Sequence, residues 1–125
     1  MSLLERLVAS VLGRRVVPPA ELAVGVPARV VFREGRLIPA IGGVLGRMGG
    51  PAAAVTLHRT IVVHPRAKLS HRLLVHELTH VRQWERDRLF PVRYALESLR
   101  RGYRDNRYER EAREAERAAH DTNPT

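Results

Sequence analysis

The chain has 125 residues, enough for one domain with a single core. It has no cysteine, which excludes disulfides and thiolate metal sites and leaves imidazole and carboxylate as metal donors. The formal net charge is +9, carried almost wholly by arginine, and no apolar run reaches the roughly 18 residues of a membrane span.

Residues 2–12 read as a short amphipathic helix, with Leu3, Leu4, Leu7, Val8, Val11 and Leu12 at helical spacing and Gly13 suited to its end. The same segment lacks a basic n-region and a small-residue cleavage site, so a cytoplasmic location is expected. Pro18 and Pro19 stop regular structure. Ala28 to Phe32, a Glu34–Gly35 turn and Leu37–Ile38 read as a hairpin of two short strands. Gly42, Gly43, Gly46, Gly49 and Gly50 punctuate the stretch up to Pro51, which reads as a flexible loop or a short helix with glycine ends, a connector being plainer than a gate beside the site. Ala53–Leu57 and Thr60–Val63 are the strongest strand candidates, joined at His58–Arg59. A helix runs from Ser70, its cap, to about Asp87, with Leu74, Leu78 and Val81 as its core stripe. Pro91 opens a second helix whose stripe is Val92, Ala95, Leu96, Leu99 and Tyr103, ending near Gly102. Arg107 to about His120 forms a third, buried along Tyr108, Ala112, Ala115 and Ala119. Asp121–Thr125 is expected to fray.

The chemistry concentrates in His76-Glu77-Leu78-Thr79-His80, an HExxH pattern. Residues four apart on a helix lie on one face, so His76 and His80 can both turn an imidazole to one metal ion, with the Glu77 carboxylate beside them as a proton acceptor. The two histidines lie nearly opposite the Leu74, Leu78, Val81 stripe, with Leu73 and Trp84 alongside. A helix packed on one side and roofed on the other suits a cleft with a metal floor. The remaining histidines, His58, His64, His71 and His120, point to no ligand role. Gln83 suggests a hydrogen bond to a neighbouring loop or a place in solvent.

A catalytic zinc takes three protein ligands and keeps one position open. Glu85 and Asp87 lie on or just past the same helix and cannot fold back over the metal, and Glu97 borders an apolar stripe. Glu109 and Glu111 flank the third helix's stripe on opposite sides, and either could face the HExxH helix. Asn106-x-x-Glu109 also fits a capping box, which needs no metal. Spacing leaves both glutamates open.

HELTHVRQW at 76–84, followed about two dozen residues later by NRYEREA at 106–112, resembles the compact gluzincin metallopeptidases, including the minigluzincins and small domains of unknown function. The resemblance covers roughly Ala53 to Ala119. It implies an α+β, zincin-like fold: a small β-sheet packed on the HExxH helix, then a helical C-terminal part carrying the glutamate helix. It implies zinc held by His76, His80 and Glu109, since Glu109-x-x-Ala112 matches the family's E-x-x-A, with Glu77 activating the water. Tyr103 and Tyr108 are candidates for an oxyanion donor by proximity in sequence, although a core aromatic is the plainer reading of each, and the Thr60–Val63 strand resembles the edge strand on which zincins lay an extended substrate. The residue after the E-x-x-A alanine, which orients a histidine in the family, is Arg113 here, so the histidines' outer partner is unassigned.

The expectation is a single domain over 1–125, with an N-terminal helix and short strands over 1–52 and a motif-bearing core over 53–120. It would be a zinc metallopeptidase, active or latent, acting on a peptide or protein substrate. Two rivals stand beside it. One is a non-catalytic zinc-bound accessory or toxin-associated domain, against which an intact Glu77 argues. The other is a basic nucleic-acid-binding module with a chance HExxH, disfavoured because the arginines form no compact block. No membrane partner is expected, and the sequence carries no sign of an oligomeric state.

Overall fold

A computed structural model describes residues 1–122. The order of elements is α1 (Leu3–Leu12), β1 (Arg14–Val16), α2 (Ala20–Ala23), β2 (Val31–Glu34), α3 (Leu37–Leu45), β3 (Ala54–Leu57), β4 (Thr60–Val63), α4 (His71–Arg86), α5 (Phe90–Asp105) and α6 (Arg107–Thr122). The fold is α+β: one mixed four-stranded sheet, ordered β1-β2-β4-β3, with six helices. Among the described residues no helix is long and apolar enough to cross a membrane. The frayed tail expected for Asp121–Thr125 lies for the most part outside the described residues.

β4 is the centre of the sheet. Thr60-Ile61-Val62-Val63 is β-branched throughout, and it pairs parallel to β2 on one side (Phe32↔Ile61) and antiparallel to β3 on the other (Thr56↔Ile61). Ile61 and Val62 are fully buried, as a strand with neighbours on both sides requires. The edge-strand role expected of Thr60–Val63 is therefore corrected: β3 is the edge on that side, because β4 lies between β3 and the earlier strand β2. The His58–Arg59 turn holds, and His58 adopts the left-handed conformation (φ 56°) that so tight a hairpin demands.

The hairpin expected over Ala28–Ile38 does not form. Val31–Glu34 pairs with β1 and β4, and Leu37–Ile38 begins α3 instead. Short apolar runs do not distinguish strand from helix, and Pro39 sits in the first turn, where its missing N–H costs no bond. The connector reading of the glycines holds for Gly46 to Pro51, whereas Gly42 and Gly43 lie inside α3, which Gly46 caps. A Cβ at Gly43 would stand 2.0 Å from the carbonyl oxygen of Gly50, so glycine there lets α3 touch the segment that leads into β3.

α4 lies on the sheet through Leu74 and Val81, which join Val30, Phe32, Ile61 and Val63 in the core, with Leu78 packed beside them. Its cap is as expected, Ser70 Oγ accepting from the Leu73 N–H at 3.1 Å. α6 packs along α4, with Tyr108 and Ala112 buried and small alanines permitting a close approach. α5 departs from expectation. Val92, Ala95, Leu96 and Leu99 face outward, and Phe90, Tyr94 and Glu97 turn toward α6. The helix also breaks at Gly102 (φ 77°), so Tyr103 leaves the stripe.

Candidate metal centre

The helical period brings His76 and His80 to the face of α4 away from the sheet, with ring centroids 5.0 Å apart. The facing element is α6. Asn106, fully buried, caps it by accepting from the Tyr108 N–H at 2.9 Å, and its own amide donates to the Tyr94 carbonyl and to Ser98 Oγ. That anchored first turn sends the Glu109 carboxylate toward α4. One Glu109 oxygen is 3.0 Å from His76 Nε2, and the carboxylate is 3.2 Å from His80 Nε2. The three residues offer ligand atoms all within 4.8 Å of one another. Ligands at about 2.05 Å in a tetrahedral shell stand roughly 3.3 Å apart, so this spacing fits a metal ion with little movement.

The outer partners settle which nitrogens face the centre. His76 Nδ1 lies 3.0 Å from Glu116 Oε2, a carboxylate that only accepts, so with a metal on Nε2 the ring's proton would sit on Nδ1. His80 Nδ1 lies 2.7 Å from Gln83 Oε1. The Gln83 amide nitrogen donates to the Tyr108 carbonyl (3.0 Å) and to Glu111 Oε1 (2.5 Å), which turns its oxygen to His80. Both rings thus aim Nε2 inward, the arrangement that outer hydrogen bonds impose on metal-binding histidines. Glu111 serves Gln83 and Arg86 and is not among the converging atoms. Tyr94 O–H donates to the second Glu109 oxygen at 2.6 Å.

The charges are coupled. Burial disfavours an imidazolium at His80, yet the hydrogen bond and negative charge of Glu109 outweigh it and push its pKa up to about 9. His76 is raised in the same way. Burial also opposes a charged Glu109, but hydrogen bonds from His76, His80 and Tyr94 hold it well below the usual carboxylate range. A divalent cation would compete with protons for these lone pairs. Two imidazoles and a carboxylate suit zinc and iron alike.

Glu77 is buried beside this centre, and Thr56 Oγ1 on β3 donates to its Oε2 at 2.6 Å. Trp84 Nε1 donates to the Thr56 carbonyl at 3.2 Å and its ring packs edge-on against Phe90, so the tryptophan ties α4 to β3 and to α5. His76 and Glu77 form part of the wall of an open cleft of about 550 Å³, bounded by Met48, Ala54, Leu73 and Tyr103 among others. Burial and the Glu109 charge raise the Tyr103 phenol above its ordinary value. Tyr108 stays out of the cleft, its ring against Phe90 and its hydroxyl accepting from Arg107.

Four contributors escaped sequence reasoning. Gln83 had a visible signal, three residues past His80, but the loop or solvent role expected of it is corrected to a buried one. Glu116, two turns beyond Glu109 on the same face, had another. It stands in for the orienting residue that Arg113 does not supply, since Arg113 donates to the Arg104 carbonyl. Thr56 and Tyr94 had none, because only the packing of β3 and α5 brings them here. His58, His64, His71 and His120 lie outside the cluster.

No curated protein and no solved structure matches the chain. The family described as the eCIS core domain matches residues 48–88. That segment runs from the cleft wall at Met48 through β3, β4 and α4, so the chain is similar to this family across the HExxH helix, while Glu109 lies beyond the match.

Proposed function

We propose that the protein is a zinc metallopeptidase of gluzincin type with zincin-like packing, hydrolysing a bond in a peptide or protein substrate. The observation that carries this reading is the convergence of His76, His80 and Glu109 on one point, with the buried Glu77 carboxylate beside it at a cleft. A zinc ion held by those three residues would supply Lewis-acid polarisation of the scissile carbonyl and make a neighbouring water more acidic.

The chain's own groups do the rest. Thr56 occupies one oxygen of Glu77 and leaves Oε1 to take the water's proton and return it to the departing amine. Tyr103, on the cleft and kept protonated at neutral pH, is placed to donate to the developing oxyanion. Tyr94 keeps its proton on Glu109 and steadies that side chain. β3 is an edge strand along the cleft, so an extended substrate can add to the sheet by main-chain pairing.

The test is metal content by mass spectrometry on protein purified without chelator, beside His80→Ala and Glu109→Gln. About one zinc per chain, absent from both variants, with peptide cleavage abolished in a metal-loaded Glu77→Gln variant, is the expected result. Failure to take up zinc on add-back would sink the proposal. Zinc uptake without cleavage on a broad peptide library would move the site to the non-catalytic reading.

A further inference from the structure

Helices α1 and α3 pack against each other and turn apolar side chains to solvent. On α1 these are Leu3, Leu4, Leu7 and Val11, the first two at least 70 % exposed, and no α1 residue is buried. α3, Leu37-Ile38-Pro39-Ala40-Ile41-Gly42-Gly43-Val44-Leu45, carries no polar side chain, and Val44 and Leu45 are each 76 % exposed. Eight aliphatic side chains in two touching helices present on the order of 800 Å² of apolar surface, beyond the roughly 300–600 Å² patch typical of a monomer. It is about what each partner contributes to a standard protein–protein interface.

Charge narrows the occupant. The chain is +9, so two copies meet most readily where arginine is balanced or kept to the rim of the patch. α3 has no charged residue within it, the one acid and one base of α1, Glu5 and Arg6, balance, and the exposed Arg36 and Arg47 stand beyond the two ends of α3, at the rim of the patch. The other outward apolar stripe, Leu89, Val92, Leu96 and Leu99 on α5, is bordered by Arg88, Arg93 and Arg100 and would repel itself. An anionic lipid surface would favour helices with cationic polar faces, which neither α1 nor α3 has. We infer that the α1–α3 face is the interface of a twofold dimer of this chain, each copy covering the same patch of the other. Met48, just past α3, is exposed and also lines the cleft, so the paired face borders the cleft of each copy.

The test is sedimentation velocity on the full chain from about 1 to 100 μM, with Leu7→Arg, Val44→Arg and, as a control, Leu96→Arg. These side chains are exposed, and unchanged circular dichroism would confirm that each variant folds. A dimer in the parent and in Leu96→Arg, with dissociation weakened at least 100-fold in both α1 and α3 variants, is expected. A parent that stays monomeric to 100 μM overturns the inference, as does a dimer untouched by both substitutions. So does a monomer that co-sediments with phosphatidylserine vesicles and loses this with Val44→Arg, which would assign the face to lipid. None of these readouts depends on metal or peptidase activity.

Discussion

Helices α1 and α3 turn leucine, isoleucine and valine to solvent, whereas α4 and α6 bury Glu77, His80, Gln83, Asn106 and Glu109. Both halves depart from the usual sorting of side chains, in opposite directions. In the C-terminal half the buried polar groups satisfy one another, and no described buried side-chain nitrogen or oxygen lacks a partner. A closed polar network of this kind keeps each donor aimed, which is what a metal ligand set needs. In the N-terminal half Val30 and Phe32 reach the core, whereas the outward side chains of α1 and α3 stay in solvent among the described residues. Exposed leucine marks a surface awaiting contact, and buried glutamate marks a site already assembled.

The largest expected effect is on the network. Glu109→Gln removes the carboxylate that both imidazoles face, and should weaken zinc binding by more than about 100-fold, measured by competition with a chromophoric chelator. Unchanged affinity would break the comparison at its centre, by showing that the buried charge is only structural. Next comes the core against the surface. Val81→Ala, under α4, should cost about 2 kcal/mol in urea denaturation, whereas Leu96→Ala, on the outer face of α5, should cost less than about 0.5 kcal/mol. A comparable loss at Leu96 would mean that α5 is covered in solution.

Gln83→Leu keeps the volume but strips His80, the Tyr108 carbonyl and Glu111 of a shared partner. It should destabilise the fold by about 1–3 kcal/mol and lower zinc affinity about tenfold, read by the same two assays. The smallest effect concerns Glu85, where hydrogen bonds from Arg29 and Arg59 lower its pKa from 4.5 to about 2. A lowered carboxyl pKa stabilises the fold above its ordinary value and loses that stabilisation as pH falls toward the folded one. The stability gap between parent and Glu85→Gln should therefore be flat from pH 6 to 8 and shrink between pH 4.5 and 2, as followed by denaturation at each pH. A gap that stays constant to pH 2 would remove the pairing from the account.

Local patterns were legible where they were self-sufficient. Ser70, the Leu74–Leu78–Val81 stripe and the four-residue spacing of His76 and His80 depend on helix geometry alone, and α4 spans the expected residues within one. The β3–β4 hairpin and the Tyr108–Ala112 stripe held for the same reason. α5 misled because its apolar stripe is real but faces outward, and periodicity tells which residues share a face without telling which face is covered. Leu37–Ile38 misled because a short apolar run fits strand and helix equally.

The sequence by itself determined that His76 and His80 share one helix face with the Glu77 carboxylate beside it, and that Cys-free chemistry must serve any metal. It narrowed the third ligand to Glu109 and Glu111, and family resemblance favoured the first. Both glutamates touch α4, and only tertiary structure decided which one reaches the imidazoles: the docking of α6 turns Glu109 to His76 and His80 and leaves Glu111 on Gln83 and Arg86. Tertiary structure also recruited Thr56, Tyr94 and Glu116, laid β2 parallel to β4 across the intervening helix and hairpin, and left α1 and α3 bare. Each of these outcomes depends on contacts between residues far apart in the chain, and local periodicity carries no information about them.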